Sequence, residues 1–354
     1  MSRAWNSGIM QFAGDDPRLK IDNAKIAKKT FADPGSFTYK ERISVLFMEP
    51  EMDKVDFQFR PRGISKTAGN MALIRALEFL RLPSKRLFSD PYAQQFVPLC
   101  QRVLLGPAHL PAVRALLEGY FDWRAPGARS SGAARTRLID DWVREALAAL
   151  VEQVVILGAG FDCRGLRMKE LKNIPVFEVD RPAMIAHKER VVCQRHRTPS
   201  RIRRLGVDFQ KDNLGSRLTD AGWSAKLRTL FVWEGVTNYL DTRSVEAVFN
   251  FFAADACFGS RVIFTYVHAG VLNSSFVTPG VFRLTATLRA YGEPWTFGFK
   301  PEEVPAYLAK KGLRLLIDLG AAEYRGKYMG PVKKLIGYEF YRAALAEKVG
   351  HAAP

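Results

Sequence analysis

From Ser65 onward the apolar residues recur at helical spacing. In SKTAGNMALIRALEFLRL, Ala68, Met71, Ile74, Leu77 and Leu80 fall near one face, which predicts a helix. Further helices are expected around 109–122 and 133–150. Ser89-Asp90-Pro91 reads as a helix start, with Asp90 as N-cap and Pro91 at the first helical position. Beyond residue 151 the rhythm changes. Short apolar runs at 153–158, 175–180, 201–207, 229–233 and 260–267 read as strands, with helices such as Arg243 to Ala256 between them. This alternation predicts a parallel sheet covered on both faces. Residues 270–298 break the rhythm with Gly, Pro and aromatics and read as an inserted lid. A helix from Pro301 to Gly312 follows, then strands near 313–319 and 335–342. Residues 1–60 hold only scattered apolar clusters, such as Ile43 to Met48. The chain thus divides into an N-terminal extension (1–60), a helical cap (61–150) and an α/β core (151–345).

The most informative stretch is VVILGAGFDCRGLR, Val154 to Arg167. An apolar strand running into Gly-Ala-Gly and then a helix opens a nucleotide-binding βαβ unit. Gly158 and Gly160 let the backbone approach a ligand closely. Twenty residues after Gly160, the run IPVFEVD ends in Asp180, where an adenosine ribose would present its hydroxyls. A dinucleotide site asks for a third glycine, which here would be residue 163, and that is Cys163. Asp162 in the same turn would repel a pyrophosphate. A phosphate-free cofactor carrying an amine suits this loop better, and S-adenosyl-L-methionine is one.

Composition narrows the class. With 354 residues, 47% of them hydrophobic, the chain can build one large domain with appendages. It has no 18-residue apolar run, its start lacks the apolar core of a signal peptide, and its four cysteines include no C-x-x-C pair. These features predict a cytoplasmic protein with reduced thiols, no membrane span and no metal site. The net charge of +17 invites a nucleic-acid reading. Much of the excess is local, however: residues 181–204 hold eight Lys or Arg and one acid, Glu189. Without interleaved aromatics to stack bases, this run reads as a solvated helix face. A small-molecule substrate, anionic or tethered to an acidic carrier, fits better than nucleic acid.

In open α/β sheets ligands bind beyond the carboxyl ends of the strands. Five successive strand ends carry polar residues: Gly158 to Asp162, Glu178 with Asp180, Asp208-Phe209, Glu234-Gly235, and Tyr266 with His268. Asp208 could accept the adenine amino group and Phe209 pack on the base, or Asp208 could cap the next helix. Glu234 could pair with the cofactor's ammonium or sulfonium, or serve as a cap. Arg135 and Arg137 lie on the helix before the first strand. Either could grip a carboxylate, or pair with Asp140 or Asp141 along the helix. Lys66 is a weaker candidate. Tyr266 and His268 are the candidate bases.

SKTAGNMALIRALEFLRLPSKRLFSDPYAQQF, ARTRLIDDWV, VVILGAGFDCRGLRM, VFEVDRP, HKERV, VDF and WEGVTNYL, in this order and spacing, resemble the leucine carboxyl methyltransferase-like family over residues 62 to 330. The likeness is greatest to its bacterial branch of S-adenosylmethionine-dependent O-methyltransferases, which includes polyketide-pathway enzymes. The resemblance implies a class I methyltransferase (Rossmann-like) α/β fold: a seven-stranded, mostly parallel sheet with one antiparallel strand near the C-terminus, under a helical N-terminal cap. It implies that Gly158 contacts the methionine part of the cofactor, Asp180 the ribose, and Asp208 and Phe209 the adenine. Arg135 would take the cofactor carboxylate, with Arg137 competing, and Glu234 would lie near the amino-acid end. The chain departs from the family at Asp162-Cys163-Arg164, where Asp-Thr-Arg is usual, and at Asp208-Phe209, where Asp-Leu is common.

The reading is therefore O-methylation of a carboxylate or hydroxyl of a small molecule. A carboxylate acceptor needs no base, whereas a hydroxyl would call on Tyr266 or His268. The alternatives are an NAD-dependent oxidoreductase on a similar fold, disfavoured by Cys163 and Asp162, and a non-catalytic binding module.

Overall fold

The computed structural model describes residues 63–194, 196–276, 278, 280–330 and 337–349. The expected extension over 1–60 lies outside them, as does the start of the strand expected at 335–342. The first helices are α1 (Lys66–Phe79), α2 (Leu99–Leu105), α3 (Pro111–Arg124) and α4 (Ala128–Ala148). The Ser65 hydroxyl accepts the Ala68 N–H at 3.1 Å and starts α1. Asp90 accepts from the N–H groups of Tyr92 and Ala93. What it caps is a 3-10 turn, Ala93–Phe96, and not the expected α-helix. Pro98 is the reason: it forces Val97 into the extended conformation and ends the turn.

Seven strands follow: β1 (Gln153–Leu157), β2 (Val176–Asp180), β3 (Ile202–Gly206), β4 (Thr229–Trp233), β5 (Arg261–Val267), β6 (Leu313–Gly320) and β7 (Tyr341–Lys348). Their order is β3-β2-β1-β4-β5-β7-β6, and β7 runs antiparallel to both neighbours. This is the mostly parallel, seven-stranded α/β sheet expected. Between the strands lie α5 (Arg164–Arg167), α6 (Pro182–Cys193), α7 (Leu214–Asp220), α8 (Thr242–Asp255), α9 (Val281–Ala290), α10 (Val304–Ala309) and α11 (Ala321–Met329).

Alternate residues of the strands feed two cores. Val155, Leu157, Phe231, Trp233 and Phe264 pack with Phe249 and Phe252 of α8 on one face. Val154, Ile156, Leu230 and Val232 pack with Leu138, Ile139 and Trp142 of α4 on the other. The chain order reverses direction beside β1, with β2 on one flank and β4 on the other. That places the crevice beyond the tips of these strands.

Three expectations need correction. The last strand is Tyr341–Lys348 instead of 335–342. Gly337 (φ +105°) and Tyr338 (φ +67°) are left-handed and break any extended run there. The true strand, YRAALAEK, is alanine-rich and lacks β-branched residues, so its pattern is weak. Second, α11 was not anticipated. Third, the basic run after β2 is not simply a solvated face. Lys188 and Arg204 are internal and both pair with buried Glu178, and Arg201 donates to the Gly165 carbonyl. Among the described residues, no helix is long and apolar enough to cross a membrane.

Phe249 is fully buried, with the rings of Trp233, Phe252, Phe264, Phe299 and Tyr307 around it. Phe249→Ala is expected to lower the unfolding free energy by roughly 3–5 kcal/mol, measured by urea denaturation.

Candidate functional site

The turn after β1 owes its glycines to two different constraints. Gly158 is left-handed (φ +65°), and a Cβ there would meet Val236 Cγ2 at 2.1 Å, so the space beside it is filled by the β4 loop. Gly160 is left-handed too (φ +40°), but its nearest neighbours lie at 3.7 Å or beyond, so conformation alone favours glycine. The Gly160 N–H donates to Asp180 Oδ2 at 2.6 Å, and the Arg181 N–H donates to Asp180 Oδ1 at 2.6 Å. Burial pushes the Asp180 carboxyl above its ordinary pKa despite these two donors. Each carboxylate oxygen keeps a lone pair for a further donor. Asp208, at the third strand end, accepts the Gln210 N–H at 3.1 Å and pairs with Lys211 at 3.6 Å. Phe209 beside it is half-buried.

A buried ion network joins α4 to this turn. Arg135 of α4 donates from Nε to Glu234 Oε1 at 2.8 Å. Arg164 donates from Nη1 to Glu234 Oε2 at 2.8 Å and to Asp162 Oδ2 at 2.5 Å, and from Nε to Asp140 Oδ1 at 2.8 Å. Arg167 forks both its terminal nitrogens onto Asp140. Burial opposes ionisation of all three carboxylates, but the arginines outweigh it. Glu234 and Asp140 are held below their ordinary pKa, and Asp162 is lowered to about 2.

This geometry separates the two candidate arginines. Arg135 stands beside Glu234 at the β4 tip. Arg137 instead pairs with Asp141 at 3.0 Å, one helical turn on, and donates to the Leu87 carbonyl. Asp162 is engaged with Arg164 and is not presented as a free acceptor. Neither candidate base is poised as one. Tyr266 is fully buried among Phe264 and Phe299, and its hydroxyl donates to Asp318 Oδ2 at 2.5 Å, with burial and Asp318 raising its pKa. His268 caps a 3-10 turn, its Nδ1 accepting the Gly270 N–H at 3.0 Å against the Phe276 ring.

Sequence reasoning overlooked Arg164, although it stands in the Asp-Cys-Arg run after the glycine turn. It also overlooked Glu293. This carboxylate, between α9 and α10, accepts the N–H groups of Lys66 and Thr67 at 2.9 and 3.1 Å and the Thr67 hydroxyl at 2.5 Å. It ties the 270–298 segment to the start of α1. No local pattern around Glu293 announces a contact 227 residues away.

The fold and this set of strand ends define the class: an α/β protein of the class I methyltransferase type. The donor set fits the phosphate-free cofactor of that class. Asp180 keeps unused lone pairs at the tip of β2, Phe209 offers an aromatic face after β3, and the glycine turn leads into a helix of only Arg164–Arg167, too short to seat a pyrophosphate. The leucine carboxyl methyltransferase family matches residues 68–253. The chain is 38% identical over 187 residues, 52% of its length and 62% of the partner's, to a Frankia alni protein that bears the name of an S-adenosyl-L-methionine-dependent methyltransferase. It is 34% identical over 60% of its length, and 72% of the other, to a Streptomyces coelicolor protein of the same name. A solved structure from Thermobifida fusca, described as a methyltransferase, shares the fold with a TM-score of 0.51 at 18% identity, over 77% of this chain and 97% of that one. The chain therefore belongs to the leucine carboxyl methyltransferase family, and S-adenosyl-L-methionine is the cofactor of its class.

The three depressed carboxylates each contribute stability that is present above their ordinary pKa values and lost as pH falls through the folded ones. Glu234→Gln removes one such contribution. Its unfolding free energy is expected to fall less steeply than that of the unaltered protein as pH drops from about 5 to about 2, measured by urea denaturation. Equal slopes would show that Glu234 is not held by its arginines.

Proposed function

We propose that this protein transfers the methyl group of S-adenosylmethionine to an oxygen of a small molecule. The observation that carries the reading is Asp180, a buried carboxylate fixed by two backbone N–H groups at the tip of β2, with lone pairs left for two ribose hydroxyls. In this reading Gly158 and Gly160 line the methionine side, Asp208 and Phe209 flank the adenine, Arg135 meets the cofactor carboxylate, and Glu234 faces its ammonium. When bound, the cofactor supplies an activated methyl on a sulfonium. The acceptor oxygen forms the new O–C bond as the S–C bond opens, and the sulfur keeps that electron pair. The chain's part is to hold the oxygen in line and exclude water.

A carboxylate acceptor is favoured over a hydroxyl. The Tyr266 hydroxyl is committed to Asp318 and His268 Nδ1 to Gly270, so neither stands ready to take a proton. A carboxylate needs no base, because it is already ionised at neutral pH. The NAD reading is disfavoured: Cys163 is buried where a third glycine would open space, and Asp162 stands ionised in the turn. Calorimetry with S-adenosylhomocysteine tests the cofactor site. Asp180→Ala is expected to weaken binding about 10- to 100-fold, the share of hydrogen bonds to a charged group, while unfolding stays cooperative. No binding to the well-folded, unaltered protein would sink the reading.

A further inference from the structure

Every exposed residue of α3 is uncharged: Pro111, Ala112, Ala115, Leu116, Gly119 and Trp123. The solvent face of a helix ordinarily carries its charges. Here Glu118 turns aside to pair with Arg81 at 2.7 Å, and Asp122 pairs with Arg129 at 2.6 Å. Arg114 donates to the Leu80 carbonyl at 3.1 Å. Leu117 and Phe121 pack inward against the apolar cluster that includes Leu73 and Leu77 of α1. Leu116 and Trp123 are left 67% and 63% exposed, two helical turns apart on the same outward face.

α9 continues this surface. The Arg283 guanidinium lies 6.0 Å from the Trp123 ring centre, which sets the start of α9 beside the end of α3. Phe282, next to it, is 59% exposed. The exposed positions of α9 are Phe282, Arg283, Ala286, Arg289 and Ala290, so its exposed charges are both arginines. The acids of α3 are half-buried and paired, and α9 has none. Leu116, Trp123 and Phe282 thus form an apolar ridge edged by cations. A single exposed apolar side chain is ordinary, but a run of large ones beside cations, with no exposed acid, marks an interaction surface.

We propose that this face docks the protein on a lipid bilayer containing anionic headgroups. Leu116, Trp123 and Phe282 enter the interface, and Arg283 and Arg289 meet the headgroups. Charge selects this occupant. Aromatic and leucine side chains flanked by arginine suit the boundary between acyl chains and anionic headgroups. The net charge of +17 adds long-range attraction to the same surface. A twofold pairing of α3 with a second copy would instead bring Arg283 against its own copy, or against the positive N-terminal end of the facing helix. The contact is peripheral, in keeping with the lack of a membrane-spanning helix among the described residues. Docking here does not depend on methyl transfer.

The test is co-sedimentation of the full-length protein with phosphatidylcholine vesicles, with and without phosphatidylglycerol. The protein is expected to bind the anionic vesicles roughly tenfold or more tightly than the neutral ones, and less well as salt rises. The double variant Leu116→Gln/Trp123→Gln is expected to lose roughly tenfold or more of that affinity, with cooperative urea unfolding unchanged. Phe258→Gln alters an equally exposed ring, 65%, between α8 and β5 at the amino edge of the sheet, and is expected to bind as the unaltered protein does. No binding to anionic vesicles, or equal binding by the double variant, would overturn the proposal. So would a protein that stays off the vesicles and is dimeric by light scattering but monomeric as the double variant, which would assign the face to a second copy. Capture by soluble polyaspartate, as tight as by vesicles and equally weakened in the double variant, would overturn it in favour of an acidic protein.

Discussion

The site depends on one buried guanidinium. Arg164 is 3% exposed and reaches three carboxylates: Asp140 on α4, Asp162 in the glycine turn and Glu234 at the tip of β4. A buried cation without such company would be untenable, and removal of one member of a buried pair is far more costly than its absence from the start. Arg135 and Arg167 complete the arrangement, so three arginines face three carboxylates. The net result is a near-neutral but strongly polar wall along one side of the crevice, its charges held ionised by one another.

This wall explains how the glycine turn works without phosphate. In dinucleotide sites the turn leads into a long helix whose N-terminus receives the anion. Here the helix after the turn is only Arg164–Arg167. Asp162 accepts the Arg164 N–H at 2.7 Å and adds its own negative charge. The turn thereby loses its anion site and is lined instead by carboxylates whose charge the arginines balance. Asp180 keeps the one feature shared by both kinds of site, a carboxylate with lone pairs to spare at the tip of the second strand. Function therefore follows from the side chains at the strand tips, since the sheet alone supports many chemistries.

Much of this was legible in the sequence, for reasons tied to particular residues. The two-faced apolar runs at β1, β2 and β4, and the Gly-Ala-Gly turn, are local signals of strong amplitude, and they located the crevice. The places of Asp180, Asp208 and Glu234 at or just past strand ends followed from the same runs. The separation of Arg135 from Arg137 was not legible, because two residues on one helix point about 200° apart and only the packing of α4 on the sheet says which one faces inward. The surroundings of Tyr266 were not legible for a similar reason: strand alternation fixes a face, and only the fold shows that this face is interior, with Asp318 accepting from its hydroxyl. The β7 shift came from alanines with little strand signature. The Glu293 tie to α1 is a tertiary contact with no local trace.

In the proposed function, the strand-tip crevice holds S-adenosylmethionine with its ribose on Asp180. A crystal structure of the protein with S-adenosylhomocysteine tests it most directly. Both ribose hydroxyls are expected within hydrogen-bonding distance of the Asp180 carboxylate, the adenine against Phe209, and the Arg135–Glu234 pair beside the amino-acid end. A ligand bound elsewhere, or bound with its ribose away from Asp180, would contradict it.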